Sequence, residues 1–238
     1  ALAAHERALV IRRKLAADNP TDIPYQRDLA ASHINIGLQL RLTGQPAKAL
    51  AAYENALAVR RKLAADYPAV NQFQGELAAT HIWIGQMQCE TGQLEEAMAS
   101  YEQGLAIQRK LAADNPTVVN IQCDLAAIYN NIGLIRRARG QLAEASAAYE
   151  QALAIRRKPE ADPEAPVRAS ELGATLNGLA QVDLEAQRFA EARDHLRKAI
   201  VWQKKALGAN PGHPLYRQRL MDHWKSLMRA ARELGRDD

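Results

Sequence analysis

The stretch that decides the fold is HERALVIRRKLAADNP at residues 5–20, because nearly the same text recurs three times along the chain. The copies are YENALAVRRKLAADYP at 53–68, YEQGLAIQRKLAADNP at 101–116 and YEQALAIRRKPEADP at 149–163, and each starts 48 residues after the one before it. A fixed period of this size predicts a stack of similar units, each of which buries its apolar face against its neighbours.

A second repeated text lies between the copies of the first and keeps step with them. It starts at Asp28, Glu76, Asp124, Glu171 and Arg219, and reads DLAASHINIGLQLRLTG, ELAATHIWIGQMQCETG, DLAAIYNNIGLIRRARG, ELGATLNGLAQVDLEAQ and a degenerate RLMDHWKSLMRAARELG. Each unit therefore contains two segments, which we call the first and the second helix. Residues that end helices support this division. Glycine closes the first helix at Gly44, Gly92 and Gly140, and proline follows the second at Pro20, Pro68, Pro116 and Pro211.

The composition favours helix throughout. Hydrophobic residues make up 47% of the chain but aromatic residues only 5%, so much of the apolar content is alanine, the strongest helix former. The spacing within one second helix predicts a buried stripe of Ala49, Tyr53, Ala56, Val59 and Leu63. In the fourth copy Pro159 replaces a leucine, and Pro163 follows soon after. We expect that helix to end early and the stack to bend there.

These patterns predict an all-α fold, a right-handed α-solenoid of ten helices that runs as a single array over residues 1–238. Four helix pairs are expected at 21–68, 69–116, 117–163 and 164–211. Residues 1–20 form the second helix of a truncated unit, so we expect upstream sequence or a second copy to cover the apolar face that includes Leu9 and Leu15. Residues 212–238 are expected to form a capping helix that faces solvent with Arg229, Arg232, Glu233 and Arg236.

The offsets of small and large residues resemble those of the tetratricopeptide repeat. The matching positions are Ile36-Gly37, Gly44, Ala49, Tyr53 and Ala56. The usual period of that family is about 34 residues, and the longer units here are similar to the kinesin-light-chain type. Text of that type corresponds to Asn130-Asn131-Ile132-Gly133 and to residues 152–158. The resemblance implies a scaffold that binds a protein or peptide on a concave face lined by the first helices.

Signatures of catalysis and of cofactor binding are missing from the sequence. There is no GxGxxG or GxxxxGK[ST] loop, and His5-Glu6 lacks the second histidine of a zinc helix. We therefore predict no enzyme activity and no cofactor. His33 and His81 stand one repeat apart, but later units place Tyr129, Leu176 and Trp224 at the same position, which indicates packing rather than a metal site.

The two cysteines and the lack of apolar runs bear on the compartment. Cys89 and Cys123 are far apart without CxxC spacing, which predicts free thiols and favours a reducing compartment. No run approaches the roughly 20 apolar residues that span a bilayer, and no signal segment opens the chain. We expect a cytoplasmic protein with no membrane partner.

A basic triplet recurs on the second helices, and it suggests an alternative function. The triplets are Arg12-Arg13-Lys14, Arg60-Arg61-Lys62, Gln108-Arg109-Lys110, Arg156-Arg157-Lys158 and Gln203-Lys204-Lys205. Stacked at helix spacing, they would form a ladder able to bind nucleic acid or another anionic surface. However, an aspartate follows four residues after each of the first four lysines, as at Lys14 and Asp18, and such a pair answers the charge locally. Net charge is only +4, so nucleic acid is the less favoured partner.

The candidate binding positions lie just before the small residue pair of each first helix and one turn beyond it. Asparagine there can donate to and accept from a peptide backbone. The kinesin-light-chain resemblance implies a groove-facing place for Asn35 and Asn131. The predicted partner-binding residues are Asn35, Trp83, Gln86, Asn130, Asn131, Asn177 and Gln181.

The three tryptophans fall at different repeat positions and are expected to differ in role. Trp83 aligns with Asn35, Asn131, Gly178 and Ser226, a polar or small slot, so we predict that it is exposed and anchors a partner. Trp202 aligns with isoleucine and valine, and Trp224 with His33 and His81, so both are expected in the core. Self-association through the uncapped N-terminal helix is a third possibility that the sequence leaves open.

Overall fold

The structure, a computed structural model, describes residues 2–158 and 165–235, and over those residues it contains ten α-helices and no strand. The helices fall into two compact units, Ala1–Asp114 and Asn115–Asp238. Helices that follow each other within one of these compact units pack together as antiparallel neighbours. Short turns join them, apart from the connection that contains residues 159–164, which lie outside the described ranges. The chain is thus an all-α solenoid built from helix pairs, as predicted.

The first unit contains the helices α1 to α5. Their bounds are α1 (Leu2–Asp18), α2 (Ile23–Leu42), α3 (Pro46–Asp66), α4 (Asn71–Glu90) and α5 (Leu94–Asp114). By the repeat register, α2 and α4 are first helices, while α1, α3 and α5 are second helices. The pairs α2–α3 and α4–α5 lie within the predicted ranges 21–68 and 69–116. One core cluster is formed by Ile36, Leu40, Ala49, Ala52, Tyr53, Ile84 and Met87.

The second unit contains the helices α6 to α10. Their bounds are α6 (Val119–Ala138), α7 (Leu142–Arg156), α8 (Pro166–Glu185), α9 (Phe189–Ala209) and α10 (Pro214–Leu234). Here α6, α8 and α10 are first helices, and α7 and α9 are second helices. The main core cluster joins residues of α7, α8 and α9, among them Tyr149, Leu172 and Leu176. That the two units form one continuous array remains a prediction.

The helix ends follow the predicted chemistry. Gly44, Gly92 and Gly140 lie directly after first helices with φ of 73°, 80° and 74°, a left-handed conformation that glycine adopts without steric cost. Gln187 takes the same conformation at the fourth such turn, with φ of 59°. The helix α7 ends early, at Arg156, as predicted. Pro159 and Pro163, with the bend expected there, lie outside the described residues.

A tyrosine on each of three second helices packs on the glycine of the small pair in the partner first helix. A Cβ added to Gly85 would lie 2.9 Å from Tyr101 Cε1, and one added to Gly133 would lie 3.0 Å from Tyr149 Cε1. Tyr53 makes the same close contact with Gly37. The ring fills the space that the absent side chain leaves, so this contact sets how closely the two helices of a unit approach.

Two expectations about the core are corrected by the structure. Val59 is only half-buried, and its neighbour Arg60 is buried instead, at 8% exposure. The helix α10 exposes Arg229 and Arg232 to solvent as expected, and Glu233 is half-buried, while Arg236 lies outside the described residues. Unexpectedly, α10 also exposes Met221, Trp224 and Met228. The reason is that α10 has no second helix after it among the described residues, so the side that other first helices bury is uncovered.

Candidate functional site

The first helices α2 and α4 lie side by side, and Arg41 joins them. Its Nη2 lies 2.8 Å from Glu90 Oε1, and its Nη1 donates to Gln86 Oε1 at 3.4 Å. Near the other end of α2, Arg27 Nη2 lies 3.2 Å from Glu76 Oε1. These contacts run across a surface that α2 and α4 share, and we call the part of it formed by Asn35, Leu38, Leu42, Trp83 and Gln86 the first-helix surface.

On α2 this surface is partly apolar and open to solvent. Asn35 is exposed, Leu38 is 43% exposed and Leu42 is 71% exposed. The three residues recur at spacings of three and four, so they share one face of the helix. Leu42 was missed as a candidate, although its place one turn beyond Leu38 is a signal for it. An exposed apolar pair beside an amide suits contact with another chain.

On α4 the indole of Trp83 is half-buried rather than exposed as predicted. Its ring centroid lies 5.9 Å from that of Tyr53, and the Arg60 guanidinium carbon lies 5.5 Å above its ring. The tyrosine of the preceding second helix thus covers the slot that sequence comparison marked as open. The equivalent Gly178 is likewise so close to Tyr149 that a Cβ has no room there. Part of Trp83 is packing, and only its remaining exposed portion can meet a partner.

In the second unit, the predicted amides mainly join neighbouring first helices. Asn130 Oδ1 accepts from Thr175 Oγ1 at 3.1 Å, and Gln181 Nε2 donates to Ser226 Oγ at 2.8 Å. Asn131 and Asn177 are half-buried. Asn177 Oδ1 is buried without a hydrogen-bond partner among the described residues. The four predicted amides therefore lie on the neighbouring helices α6 and α8, but Asn130 and Gln181 already make hydrogen bonds to other first helices.

In two of the basic triplets the first residue, Arg60 or Arg156, is buried and hydrogen-bonded to the next first helix, so it is not part of an exposed basic strip. Arg60 Nη1 donates to Thr80 Oγ1 at 2.8 Å and to the Glu76 carbonyl at 3.0 Å. Arg156 makes the same two bonds, to Thr175 and to the Glu171 carbonyl. Burial lowers the pKa of both arginines. Gln203, at the next such position, donates to the Tyr216 carbonyl at 3.0 Å.

The predicted lysine–aspartate pairs do not form in the described part of the chain. No ion pair joins Lys14 to Asp18, Lys62 to Asp66, or Lys110 to Asp114 among the described residues. The fourth pair, of Lys158 with Asp162, includes a residue outside the described ranges. An ion pair between exposed long side chains contributes little to stability, because the loss of side-chain entropy offsets most of the favourable Coulomb energy.

The histidine position is a packing position, as predicted. His33, His81, Tyr129 and Leu176 are all buried there, and burial lowers the pKa of His81 to about 4. Trp224, at the same place in α10, is 43% exposed, so its prediction as core is wrong. Trp202 is half-buried and packs against two core clusters.

Among the described residues, neither the cysteines nor the possible metal ligands form a cluster. Cys89 and Cys123 are free, and burial raises the pKa of each thiol. In residues 2–158 and 165–235, no group of three or more histidine, cysteine or acidic residues is placed to hold a metal. None of the helices described is both long enough and apolar enough to span a bilayer.

Comparison with known protein families decides what kind of helical repeat this is. Two family profiles, both described as tetratricopeptide repeat, match residues 76–158 and 172–215, which together make up more than half of the chain. The chain belongs to the tetratricopeptide repeat family. Tetratricopeptide repeat proteins generally act as non-enzymatic scaffolds for protein interaction. No curated protein sequence matches this chain significantly.

Several solved structures share the fold along most of the chain. BtubC (BKLC) from P. vanneervenii is 18% identical with a TM-score of 0.64, and the match covers 98% of this chain and 89% of that one. A putative kinesin light chain from Podosopora anserina, with nearly identical TPR-like repeats, is 25% identical with a TM-score of 0.57 over 87% of each chain. The apo form of RapI is 14% identical with a TM-score of 0.64, over 99% of this chain and 93% of that one.

Proposed function

We propose that this tetratricopeptide repeat chain is a scaffold that holds a peptide segment of another protein against its first helices. The observation that carries the proposal is the exposed apolar pair of the first-helix surface, Leu38 and Leu42, at 43% and 71% exposure. Leu134 repeats the place of Leu38 two units later and is 46% exposed. Leucines that recur partly uncovered at one repeat position are better explained by an occupant than by packing alone, because more than two fifths of each one stays exposed to solvent.

The polar residues of the first-helix surface supply the complementary chemistry. Asn35 is exposed beside Leu38, so its amide is free to donate to and accept from an extended backbone. Gln86 already accepts from Arg41 at 3.4 Å, a long contact that a bound peptide can replace. In the second unit we propose the same role for Asn131, while Asn130, Asn177 and Gln181 contribute from half-buried positions. Trp83 then acts as an apolar wall whose inner side rests on Tyr53.

The test begins with a partner identified by cross-linked pull-down from source cells. A labelled peptide that contains the binding segment of that partner is then used to measure affinity. The double variant Leu38→Glu/Leu42→Glu should weaken that peptide at least about tenfold, which corresponds to about 1.4 kcal/mol. Both side chains are already exposed, so helicity and the melting temperature should stay near those of the parent. Trp83→Ala is a poorer probe, because removing the indole also uncovers Tyr53 and Arg60.

The matched control is Val10→Glu/Val201→Glu, which adds the same two charges at 70% and 56% exposed positions on the second helices α1 and α9. It should leave affinity unchanged. Equal losses in the control and the double variant would show that charge alone is responsible, and unchanged binding of the double variant would reject the first-helix surface as the site.

Binding of nucleic acid or an anionic surface along the basic triplets is the less favoured candidate. Burial removes Arg60 and Arg156 from such a strip, which leaves mainly the second and third residues of each triplet exposed. Salt separates the two functions. Binding through phosphates falls by orders of magnitude between low and moderate salt, whereas binding to the first-helix surface should weaken only modestly.

A further inference from the structure

A cavity of about 670 Å³ lies between α4 and α5 in the first compact unit, where α4 begins and α5 ends. The helix α4 lines it with Asn71 and Gln74, and α5 lines it with Ile107, Lys110, Leu111 and Asp114. We call this cavity the α4–α5 pocket. Its volume falls in the range of about 300–1,000 Å³ that is typical of ligand sites in proteins.

The preceding helix pair, α2 and α3, has a cavity at the same place, but its volume is only about 230 Å³. Among the described residues, Tyr67 lines the smaller cavity and Ala106 lines the larger one, and otherwise the two linings occupy the same places 48 residues apart. The two cavities therefore have equivalent walls and differ mainly in the side chains that narrow them.

Two apolar side chains narrow the smaller cavity. Ile23 and Tyr67 pack against a core cluster that includes Phe73, and the Tyr67 ring meets the Phe73 ring edge-on with centroids 5.8 Å apart. The register puts Asn71 at the place of Ile23 and Asn115 at the place of Tyr67. Asparagine is smaller and polar, so the sequence of the next pair supplies neither the ring nor the branched apolar side chain.

The floor of the α4–α5 pocket nevertheless remains apolar. Leu111 is 4% exposed, and Ile107 packs against the same core cluster that Tyr67 contacts. The wall on α4 is held in place, because Gln74 Nε2 donates to the Ala64 carbonyl at 2.8 Å. The pocket thus keeps an ordered apolar surface of the kind that an aromatic ring covers in the preceding pair.

The mouth of the pocket is polar and carries no net charge. Asn71, Lys110 and Asp114 are exposed there, and the two charged side chains have opposite signs. A phenol hydroxyl can donate to the Asp114 carboxylate and can accept from the Lys110 ammonium group. This chemistry fits a neutral ring with one polar edge better than it fits an anion or a cation.

We propose that the α4–α5 pocket takes the ring of a tyrosine side chain from another protein chain. That ring replaces the tyrosine that the preceding pair supplies from its own sequence, with its face on Ile107 and Leu111 and its hydroxyl at the mouth. The proposal rests on the proposed scaffold function, since the ring belongs to a bound partner, and it adds a site formed by residues other than the first-helix surface. Buried aromatic side chains contribute strongly to affinity at protein interfaces.

The test uses the chain 1–238 and N-acetyl-tyrosine amide, which carries the side chain and the neutral backbone of a residue within a protein. Titration followed by saturation-transfer NMR should show saturable binding with a dissociation constant of about 1–10 mM, a range suited to one buried side chain. N-acetyl-leucine amide should bind at least about threefold more weakly, because it lacks the ring and the hydroxyl. N-acetyl-alanine amide should show no saturation in this range.

Two substitutions should close the pocket from opposite walls. Asn71→Ile introduces the residue that narrows the equivalent cavity, and Ala106→Phe places a ring on the α5 side. Each should weaken binding of N-acetyl-tyrosine amide at least about tenfold. Both positions are exposed, so helicity should stay near that of the parent. The matched control Asn55→Ile makes the first change at an exposed position on α3, outside the pocket, and should bind like the parent.

The variant Leu38→Glu/Leu42→Glu should also bind N-acetyl-tyrosine amide like the parent, which separates this pocket from the first-helix surface. No saturable binding by the parent, or equal binding by the parent and by both pocket variants, would overturn the tyrosine site. Equal affinity for the leucine and tyrosine amides would do the same. The scaffold function has its own readout, since it depends on whether Leu38→Glu/Leu42→Glu weakens the partner peptide.

Discussion

At the scale of single residues, one turn has glutamine where the equivalent turns have glycine, and this difference bears on the free energy of unfolding. Three of the four turns between the helices of a unit use glycine at positive φ, and the fourth uses Gln187 at φ 59°. Residues with a Cβ are strained in this region, whereas glycine is not. Nothing lies within 4 Å of a Cβ built on Gly44, so the comparison isolates the backbone from packing.

We expect Gln187→Gly to stabilise the chain by about 1 kcal/mol, since glycine removes the left-handed strain. The reverse change, Gly44→Gln, should destabilise it by a similar amount. Urea unfolding followed by circular dichroism measures both. If Gln187→Gly were neutral or destabilising, contacts of the Gln187 side chain would have to outweigh the strain.

The buried histidine His81 makes stability fall in acid. Burial, aided by Arg61, lowers its pKa from 6.5 to about 4. The unfolded chain therefore binds a proton from pH 6.5 downward, while the folded chain binds it only near pH 4. Acid favours the state that takes up the proton, so the free energy of unfolding should fall by about 1.4 kcal/mol per pH unit per histidine in this window.

His81→Tyr tests this, because Tyr129 shows that the equivalent position holds a tyrosine. The variant should lose less stability than the parent between pH 6.5 and 4, whatever its stability at pH 7.5. Urea titrations at several pH values give both slopes. Parallel curves for parent and variant would mean that His81 is protonated equally in both states.

At the scale of helices, a buried arginine joins two of the second helices, α3 and α7, to the first helix that follows each of them. Arg60 of α3 and Arg156 of α7 donate to a threonine and a carbonyl on α4 and α8. The sequence predicts Val59 on the buried stripe and the basic triplet on the surface. Adjacent residues on a helix point in directions about 100° apart, so an error of one residue moves a side chain from one face to another. Sequence periodicity could not predict that Arg60 points inward and Val59 partly outward, because burial of the guanidinium depends on partners from α4, the Thr80 hydroxyl and the Glu76 carbonyl.

A double-mutant cycle measures this tie. Arg60→Met and Thr80→Val should each destabilise the chain, because each leaves a polar group with one bond fewer. The double variant should cost at least about 1 kcal/mol less than the sum of the two. The exposed Arg61→Met, combined with Thr80→Val, serves as the control and should be additive. Additivity in both cycles would show that Arg60 and Thr80 do not act together.

At the scale of the whole molecule, the repeat predicted the fold well and the candidate surface less well. Helix number, helix type and helix ends followed from a 48-residue period and from glycine and proline, whose effects are local. The exposure of a side chain depends on the helices packed beside it. The repeat register predicts burial correctly only where the expected adjacent helix is present. Trp224 has no second helix packed on it among the described residues and is exposed, whereas Trp83 of α4 is covered by Tyr53 of the preceding helix α3.

One position inside the helix pairs differs from unit to unit and bears on how such a chain avoids misfolding. Asp183 Oδ2 lies 2.8 Å from His195 Nδ1, and Arg188 Nη2 donates to Asp183 Oδ1 at 2.6 Å. Two repeat units earlier, Gln88 Oε1 accepts a hydrogen bond from Ser100 Oγ at 2.7 Å at the equivalent place.

Near-identical copies invite a helix to dock on the wrong partner during folding, as happens when repeats mispair. If α8 docked against α5 instead of α9, the carboxylate of Asp183 would lie opposite Ser100 and would keep Arg188 but lose His195. Loss of a partner is costly for a buried charge. We therefore expect these differing polar pairs to favour docking of α8 on α9 over docking on another second helix during folding.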